Sequence, residues 1–296
     1  MSVNNDNCPL IVVLGPTASG KTALALDLAQ LFDGEIICAD SRTIYRGMDI
    51  GTAKPTSEEL ARIPHHLLDI VDPNEILSVA AFKILAETAI LDISSRGKLP
   101  FLVGGSGLYI DSLLYDYQFP PEADPTLRLE LEALTDAQLQ DKLMAIDADR
   151  FKEVDVANRR RVIRAIETSG RPSLRSTGIR SNTLVLGLLL NKEVMQVRIE
   201  HRIEKMLEQG LIDEVRRVGE TYGWDSEAMS GIGYRAFKEV VLGRKTVAEG
   251  VAEFARGDRQ LVKKQITWFK RNHEIIWLRQ PSEAAEMVDK FLQQHK

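Results

Sequence analysis

Cysteine is scarce: the 296-residue chain has two, Cys8 and Cys38. That is too few for a disulfide framework, and neither stands at metal-ligand spacing, so a zinc module is excluded. Long apolar runs are missing as well. Stretches such as Cys8 to Gly15 and Thr183 to Leu190 fall well short of the roughly 20 residues a membrane helix needs. No basic-then-apolar leader opens the chain, so secretion is not expected and a reduced, cytoplasmic setting is. With 44% hydrophobic and 27% charged residues, the composition excludes collagen and disorder. The length suits one large domain or two smaller ones with a sizeable core.

Excess charge of one sign is also absent from the total, which is −5. The distribution is uneven. Lys152 to Arg180 holds eight basic residues against three acidic ones, and Arg256 to His273 holds six against the single Asp258. Between Glu122 and Asp149 acids dominate instead. Such asymmetry fits either an anion-binding groove on an acidic body or simply solvated helix faces.

Leu10 to Leu14 reads as a buried strand ending at Gly15-Pro16, and Ala23 to Phe32 has helical spacing. Glu35 to Ala39 is a second strand. Ser78 to Arg96 is a long amphipathic helix with Gly97 as its C-terminal cap, followed by a third strand, Leu99 to Val103. This order predicts an α/β fold, a parallel sheet with flanking crossover helices. After Tyr117 the texture changes. Phe119-Pro120-Pro121 and Asp124-Pro125 punctuate the chain, and helical patterns follow at Leu127–Leu134, Asp136–Ile146 and Asn158–Ser169. Thr183 to Leu190 returns to the sheet. Residues 119–182 thus read as an all-helical insertion into a core made of 1–118 and 183–296. The C-terminal part is predicted to be mostly helical, interrupted at Gly231, Gly233 and Gly243.

Gly15-Pro16-Thr17-Ala18-Ser19-Gly20-Lys21-Thr22 matches the phosphate-loop pattern G-x-x-x-x-G-K-[ST], directly after a strand and before a helix. The glycines let consecutive amides converge on one anion, and the following helix points its positive end there. Lys21 adds a mobile charge, and Thr22 offers a hydroxyl to Mg²⁺. A di- or triphosphate is the expected ligand, ATP included. Asp40, at the end of the second strand, falls on the edge where parallel sheets gather ligands. As a metal ligand, a base or a mere cap it fits equally well.

Several segments carry a resemblance. They are the phosphate loop, the Asp40–Pro55 stretch (D-S-R-x-x-Y-x-G-M-D-I-G-T-A-K-P), Pro64-His65-His66-Leu67, Gly104-Gly105-Ser106-Gly107-Leu108-Tyr109 and Gln265-Ile266-Thr267-Trp268-Phe269. In this order, over nearly the whole chain, they resemble the bacterial tRNA dimethylallyltransferases. The resemblance implies a phosphate-loop sheet domain with a helical insertion contacting tRNA. It also implies transfer of a dimethylallyl group from dimethylallyl diphosphate to the exocyclic amine of the adenine 3′-adjacent to the anticodon. Asp40 is implied as the acceptor of that amine's proton, with Ser106 beside it where the family often has Thr, and Lys21 with Mg²⁺ near Thr22 stabilising the leaving diphosphate. Arg216 resembles a family arginine that helps bind the diphosphate. For the tRNA anticodon stem-loop, the resemblance implies Asp40, Ser41, Arg42, Thr43, Ser106 and Arg128. To these it adds the basic segment containing Arg160, Arg161 and Arg164. A monomer without membrane attachment is implied. Lys264 stands where Arg is frequent in the family, and Arg160 where Gln is.

His65 and His66 have no carboxylate or Cys partner at suitable spacing and are read as polar structural residues. Three other functions fit part of the pattern. An adenylate dimethylallyltransferase shares the loop and Asp40 but has no need of the basic helical insertion. A small-molecule kinase fits the loop alone, and a non-catalytic RNA-binding protein leaves the loop without a task.

Overall fold

A computed structural model describes residues 8–120 and 124–294; Pro121 and Glu122 lie outside them. Six parallel strands form one sheet in the order β3-β2-β4-β1-β5-β6: β1 Leu10–Leu14, β2 Gly34–Ala39, β3 His65–His66, β4 Leu99–Gly104, β5 Thr183–Leu188 and β6 Ile276–Leu278. β1, β2 and β4 are buried along their whole length, which is why they read as apolar runs, broken in β2 by the charged Glu35. β3 and β6 are too short to show a pattern of their own; each exists only by pairing on an edge of the sheet, β3 on β2 and β6 on β5.

Helix α1 (Lys21–Leu31) follows β1, α2 (Ser57–Arg62) precedes β3, and α3 (Val79–Ser95) leads into β4, followed by α4 (Gly107–Leu114). Ser78 caps α3 by accepting from the Ala81 amide, and Gly97 beyond its end has φ +73, the left-handed conformation a helix stop favours. The chain divides into two compact units, one of which is Tyr115–Gly178. Among the described residues its named elements are all helices: α5 (Pro125–Glu132), α6 (Asp136–Ile146), α7 (Ala148–Glu153) and α8 (Arg159–Glu167). Its own apolar centre is made by Leu131, Leu139, Leu143, Val162, Ile163 and Ile166.

In the larger unit, α1 and the C-terminal α13 (Glu283–Gln294) cover one face of the sheet through Leu24, Leu28, Ala284 and Val288. A second core joins the segment after β2 (Ile44, Tyr45, Met48) to α9 (Lys192–Glu208), α10 (Leu211–Tyr222), α11 (Ile232–Val241) and α12 (Val247–Phe269). A short 3-10 helix, Ala228–Ser230, precedes α11. Gly233 does not interrupt a helix as expected from sequence: it lies inside α11, where a Cβ would come within 2.9 Å of the Phe254 ring. The residue is small because two helices approach there. Among the described residues no helix is long and apolar enough to cross a membrane.

His65 and His66 form β3. His66 Nε2 lies 2.7 Å from Glu35 Oε2, and Arg96 at the end of α3 grips the same carboxylate at 2.5 and 2.8 Å. Arg96, then His66, hold the Glu35 carboxyl down at about 2 against the opposing effect of its burial. A carboxyl lowered on folding contributes stability that is present at neutral pH and lost as pH falls from about 4.5 toward about 2. Glu35→Gln should therefore cost about 2 kcal/mol at pH 7, allowing for the partly exposed Arg96. Its urea-unfolding curve should converge on that of the parent near pH 2; a constant offset across that range would count against this account.

Candidate active site

Strand register assembles the site. Gly104, the last residue of β4, pairs with Leu14 on one side and Ala39 on the other. The residues that come next on the three strands therefore start at one level: the phosphate loop after β1, Gly105-Ser106 after β4, and Asp40 after β2. With strands about 4.8 Å apart, β1 and β2 lie roughly 10 Å from each other across β4. A phosphate-binding loop and a carboxylate thus face one space from its two sides.

The loop turns inward through two left-handed residues, Ala18 at φ 61 and Gly20 at φ 90. Only the second is a glycine, so Ala18 stores about 1 kcal/mol of strain. Gly20 provides α1 with no side-chain cap, and no acidic residue stands in the helix's first turn. The positive helix end is consequently left without an internal anion. Ser19 is 1% exposed and its hydroxyl is buried without a partner. Lys21 Nζ lies 3.4 Å from the Pro16 carbonyl. Burial lowers the Lys21 ammonium to about 8, Asp40 opposing the shift and Arg202 adding to it. Thr22 is exposed at the start of α1.

Asp40 accepts the Arg42 amide on Oδ1 at 2.8 Å, which closes the turn after β2. Ser106 Oγ accepts the Ser41 amide at 2.9 Å and lies 3.4 Å from Ser41 Oγ, tying the ends of β4 and β2 together. Arg42 reaches the 3-10 helix, donating to the Glu227 carbonyl and to Ser230 Oγ, each at 3.1 Å. Thr43 differs from its expected place at an RNA surface. It is 8% exposed and donates to the Asp40 carbonyl at 3.4 Å, so it supports the turn from inside.

Arg216 differs too. It pairs with Asp213 at 2.6 Å, one turn away on α10, and is absent from the walls of the central cavity. Arginines that sequence reading missed stand at the loop instead. Arg202 on α9 donates to Thr17 Oγ1 at 2.7 Å, and Arg198, one turn earlier, donates to the Ser19 carbonyl at 3.3 Å. The available signal was their spacing of one helical turn beside the buried stripe Met195, Ile199, Ile203, Met206. Gln265 was also undervalued. Its amide accepts from the Thr17 backbone and donates to the Gly105 carbonyl, both at 2.9 Å, bridging two of the three strand ends. Trp268, one turn on, donates to Asp111 at 2.8 Å.

The conspicuous Asp49-Ile50-Gly51 turn is held by a residue far away in sequence. Buried Glu214 accepts all three amides at 2.8, 2.9 and 2.8 Å, and the Tyr234 hydroxyl at 2.5 Å. Four donors on one carboxylate offset its desolvation. Gly51 and Tyr234 in turn line the cavity.

That cavity has a volume of about 480 Å³. Thr17, Arg202, Asp40, Ser106, Gly231, Phe254 and Trp268 are among the residues that line it. Lys264 lies on its wall. Its lining combines the cationic side chains of Arg42, Arg202 and Lys264 and the carboxylates of Asp40 and Asp258 with the apolar and aromatic surface of Ile232, Phe254 and Trp268.

In the helical unit, the predicted RNA contacts separate into two groups. Arg128 is pinned to Glu132 and to the buried Glu167, at 2.9 and 2.8 Å, and Arg164 meets Glu167 at 3.4 Å. Arg128 thus ties α5 to α8, while Arg164, on α8 itself, also donates to the Pro120 carbonyl at 3.3 Å. Arg160 and Arg161 are exposed on α8, Arg161 lying 3.7 Å from Asp155.

Comparison with known proteins decides the family. The IPP transferase model matches residues 43–272. The chain belongs to the IPP transferase family. It is 43% identical over 291 residues to the tRNA dimethylallyltransferase of Roseiflexus sp. strain RS-1, covering 94% of this chain and 95% of that one. A full-length tRNA isopentenylpyrophosphate transferase from Bacillus halodurans shares the fold with TM-score 0.75 and 37% identity, each chain covered to 97%. A eukaryotic dimethylallyltransferase acting on tRNA superposes with TM-score 0.80 at 26% identity, covering 92% of this chain and 73% of that one. As an IPP transferase the chain is an enzyme, and the kinase and non-catalytic readings fall away.

Proposed function

We propose that this IPP transferase moves a dimethylallyl group from dimethylallyl diphosphate to the exocyclic N6 amine of the adenine 3′-adjacent to the anticodon of tRNA. The single observation that supports it most is the cavity joining the phosphate loop to Asp40 and continuing between apolar walls. A diphosphate at the phosphate loop would offer its anion to the uncapped α1 terminus, to Lys21 and Arg202, and to the partnerless Ser19 hydroxyl. The five-carbon chain then lies toward apolar surface. An adenine extruded from the anticodon loop presents its amine near Asp40.

The reaction forms one bond and breaks another. The amine lone pair attacks the allylic carbon, and the carbon–oxygen electron pair leaves with the diphosphate. The N–H proton passes to the Asp40 carboxylate. Negative charge that grows on the leaving oxygen meets the loop amides, Lys21 and Arg202, which are in place before the reaction starts. Ser106 keeps the Asp40 turn in position through the Ser41 amide.

Among the described residues no group of three or more His, Cys, Asp or Glu is placed to hold a metal. A lone hydroxyl, Thr22, fits Mg²⁺ only as one oxygen among those of the diphosphate and water, an arrangement Mg²⁺ favours. Bound so, Mg²⁺ would supply further charge neutralisation to the leaving diphosphate.

Arg160 and Arg161 are proposed as tRNA phosphate contacts, with Arg128 and Arg164 acting behind them as struts. Replacing Arg160 and Arg161 by Gln should reduce the slope of log Kd against log salt by about 1.5 in a filter-binding titration with tRNA. An unchanged slope would remove α8 from the interface. The proposal as a whole is tested by incubating the protein with radiolabelled dimethylallyl diphosphate and either bulk tRNA or AMP. Label should enter tRNA; labelling of AMP would instead indicate the free-nucleotide enzyme. The reading places the enzyme in the cytoplasm, with its RNA substrate.

A further inference from the structure

We propose that Asp258 is a positioning residue of the diphosphate site: from α12 it holds the Arg202 guanidinium of α9 so that its other arm stays on Thr17 of the phosphate loop. The inference rests on the reading of that loop as the diphosphate site.

Asp258 is the only acid between Arg256 and His273, a segment with six basic residues, yet its side chain is 3% exposed and turned from solvent. A carboxylate withdrawn from water is tolerated when a partner compensates it. Its partner is Arg202, whose Nη2 donates to Asp258 Oδ2 while Nη1 donates to Thr17 Oγ1. The Arg202 Nε is buried and has no partner. Two contacts therefore fix a side chain with four rotatable bonds, one on the loop and one on Asp258. All three residues line the central cavity.

The arrangement answers an electrostatic difficulty. Arg202 disfavours the charged form of Lys21, so the two cations repel each other beside the loop before any anion arrives. A guanidinium without a second anchor relaxes that repulsion by turning toward solvent. Asp258 opposes the movement, because leaving would strand a buried carboxylate. Burial raises the Asp258 carboxyl, with Arg202 acting against the rise, which shows how far the acid depends on its partner for its charge. Arg198 makes the contrast: it reaches the loop carbonyls from an exposed position, and among the described residues no acid pairs with it.

The test is a double-mutant cycle on the full chain, with inorganic pyrophosphate as the probe in calorimetric titrations. Asp258→Asn keeps shape and removes charge. It should weaken pyrophosphate binding about tenfold, raise KM for dimethylallyl diphosphate to match and lower kcat severalfold, because Arg202 also meets the charge growing on the leaving oxygen, with the KM for tRNA within about twofold. In an Arg202→Ala background the same change should alter pyrophosphate affinity by less than about twofold, since nothing remains for Asp258 to position. Affinity that is unchanged or tighter in Asp258→Asn, or losses that add in full on Arg202→Ala, overturns the proposal. Asp258→Ser, smaller and uncharged, is judged by the same criteria if the Asn variant does not fold. Lys21→Ala separates the two readings. If it too leaves pyrophosphate affinity intact, the loop is not the diphosphate site; if it abolishes binding while Asp258→Asn does not, the assignment of Asp258 alone fails.

Discussion

Asp40→Asn should lower kcat by about three orders of magnitude while leaving the affinities for tRNA and dimethylallyl diphosphate within about threefold. Asparagine has the shape of aspartate, and its oxygen still accepts the Arg42 amide that closes the turn after β2. The fold of the site is therefore retained and only proton acceptance is lost. An adenine amine is a weak nucleophile because its lone pair is delocalised into the ring. Without a base, the attacking nitrogen has to carry a full positive charge in a cavity whose wall already holds Arg202 and Lys264. Single-turnover quench experiments with enzyme in excess isolate this step from product release. A loss smaller than tenfold would mean that Asp40 orients the base and takes no proton.

The second large effect concerns Lys21. Its ammonium is held to about 8 by burial, so it is charged at neutral pH and loses its proton as pH rises through that value. In the proposed mechanism the charged form is the one that binds diphosphate. In the free enzyme, log kcat/KM for dimethylallyl diphosphate should accordingly fall above about pH 8. Lys21→Met should be about 10³-fold lower at pH 7 and should lack that alkaline limb. A limb that persists in the variant would belong to another group.

Much of the frame was legible without coordinates, for identifiable reasons. β1, β2 and β4 are buried on both faces, so their sequences are predominantly apolar, with Glu35 of β2 the one charge among them, and the phosphate loop is a local motif whose angles depend on Gly20 nearby. The short strands β3 and β6 left no trace, because two or three residues at a sheet edge are ordered by their neighbour and not by their own pattern. Gly233 was misread since a glycine demanded by helix packing looks, in sequence, like one demanded by a turn. Arg216 and Arg202 differ little in their local surroundings, both lying on amphipathic helices. Which of them meets the loop is decided by how α9 and α10 rotate on their shared core.

The residues themselves thus determined the parallel sheet, the anion-binding turn after β1 and the acid at the end of β2, all of which depend on neighbours a few positions away. Contacts across long sequence separations decided the rest: Gly104 aligning three strand ends, Glu214 gathering the Asp49–Gly51 amides, Gln265 bridging two turns, and Asp258 with Arg202 completing the wall. A buried charge has no local preference that sequence could reveal; its place is set only when distant donors converge to replace the water it gave up.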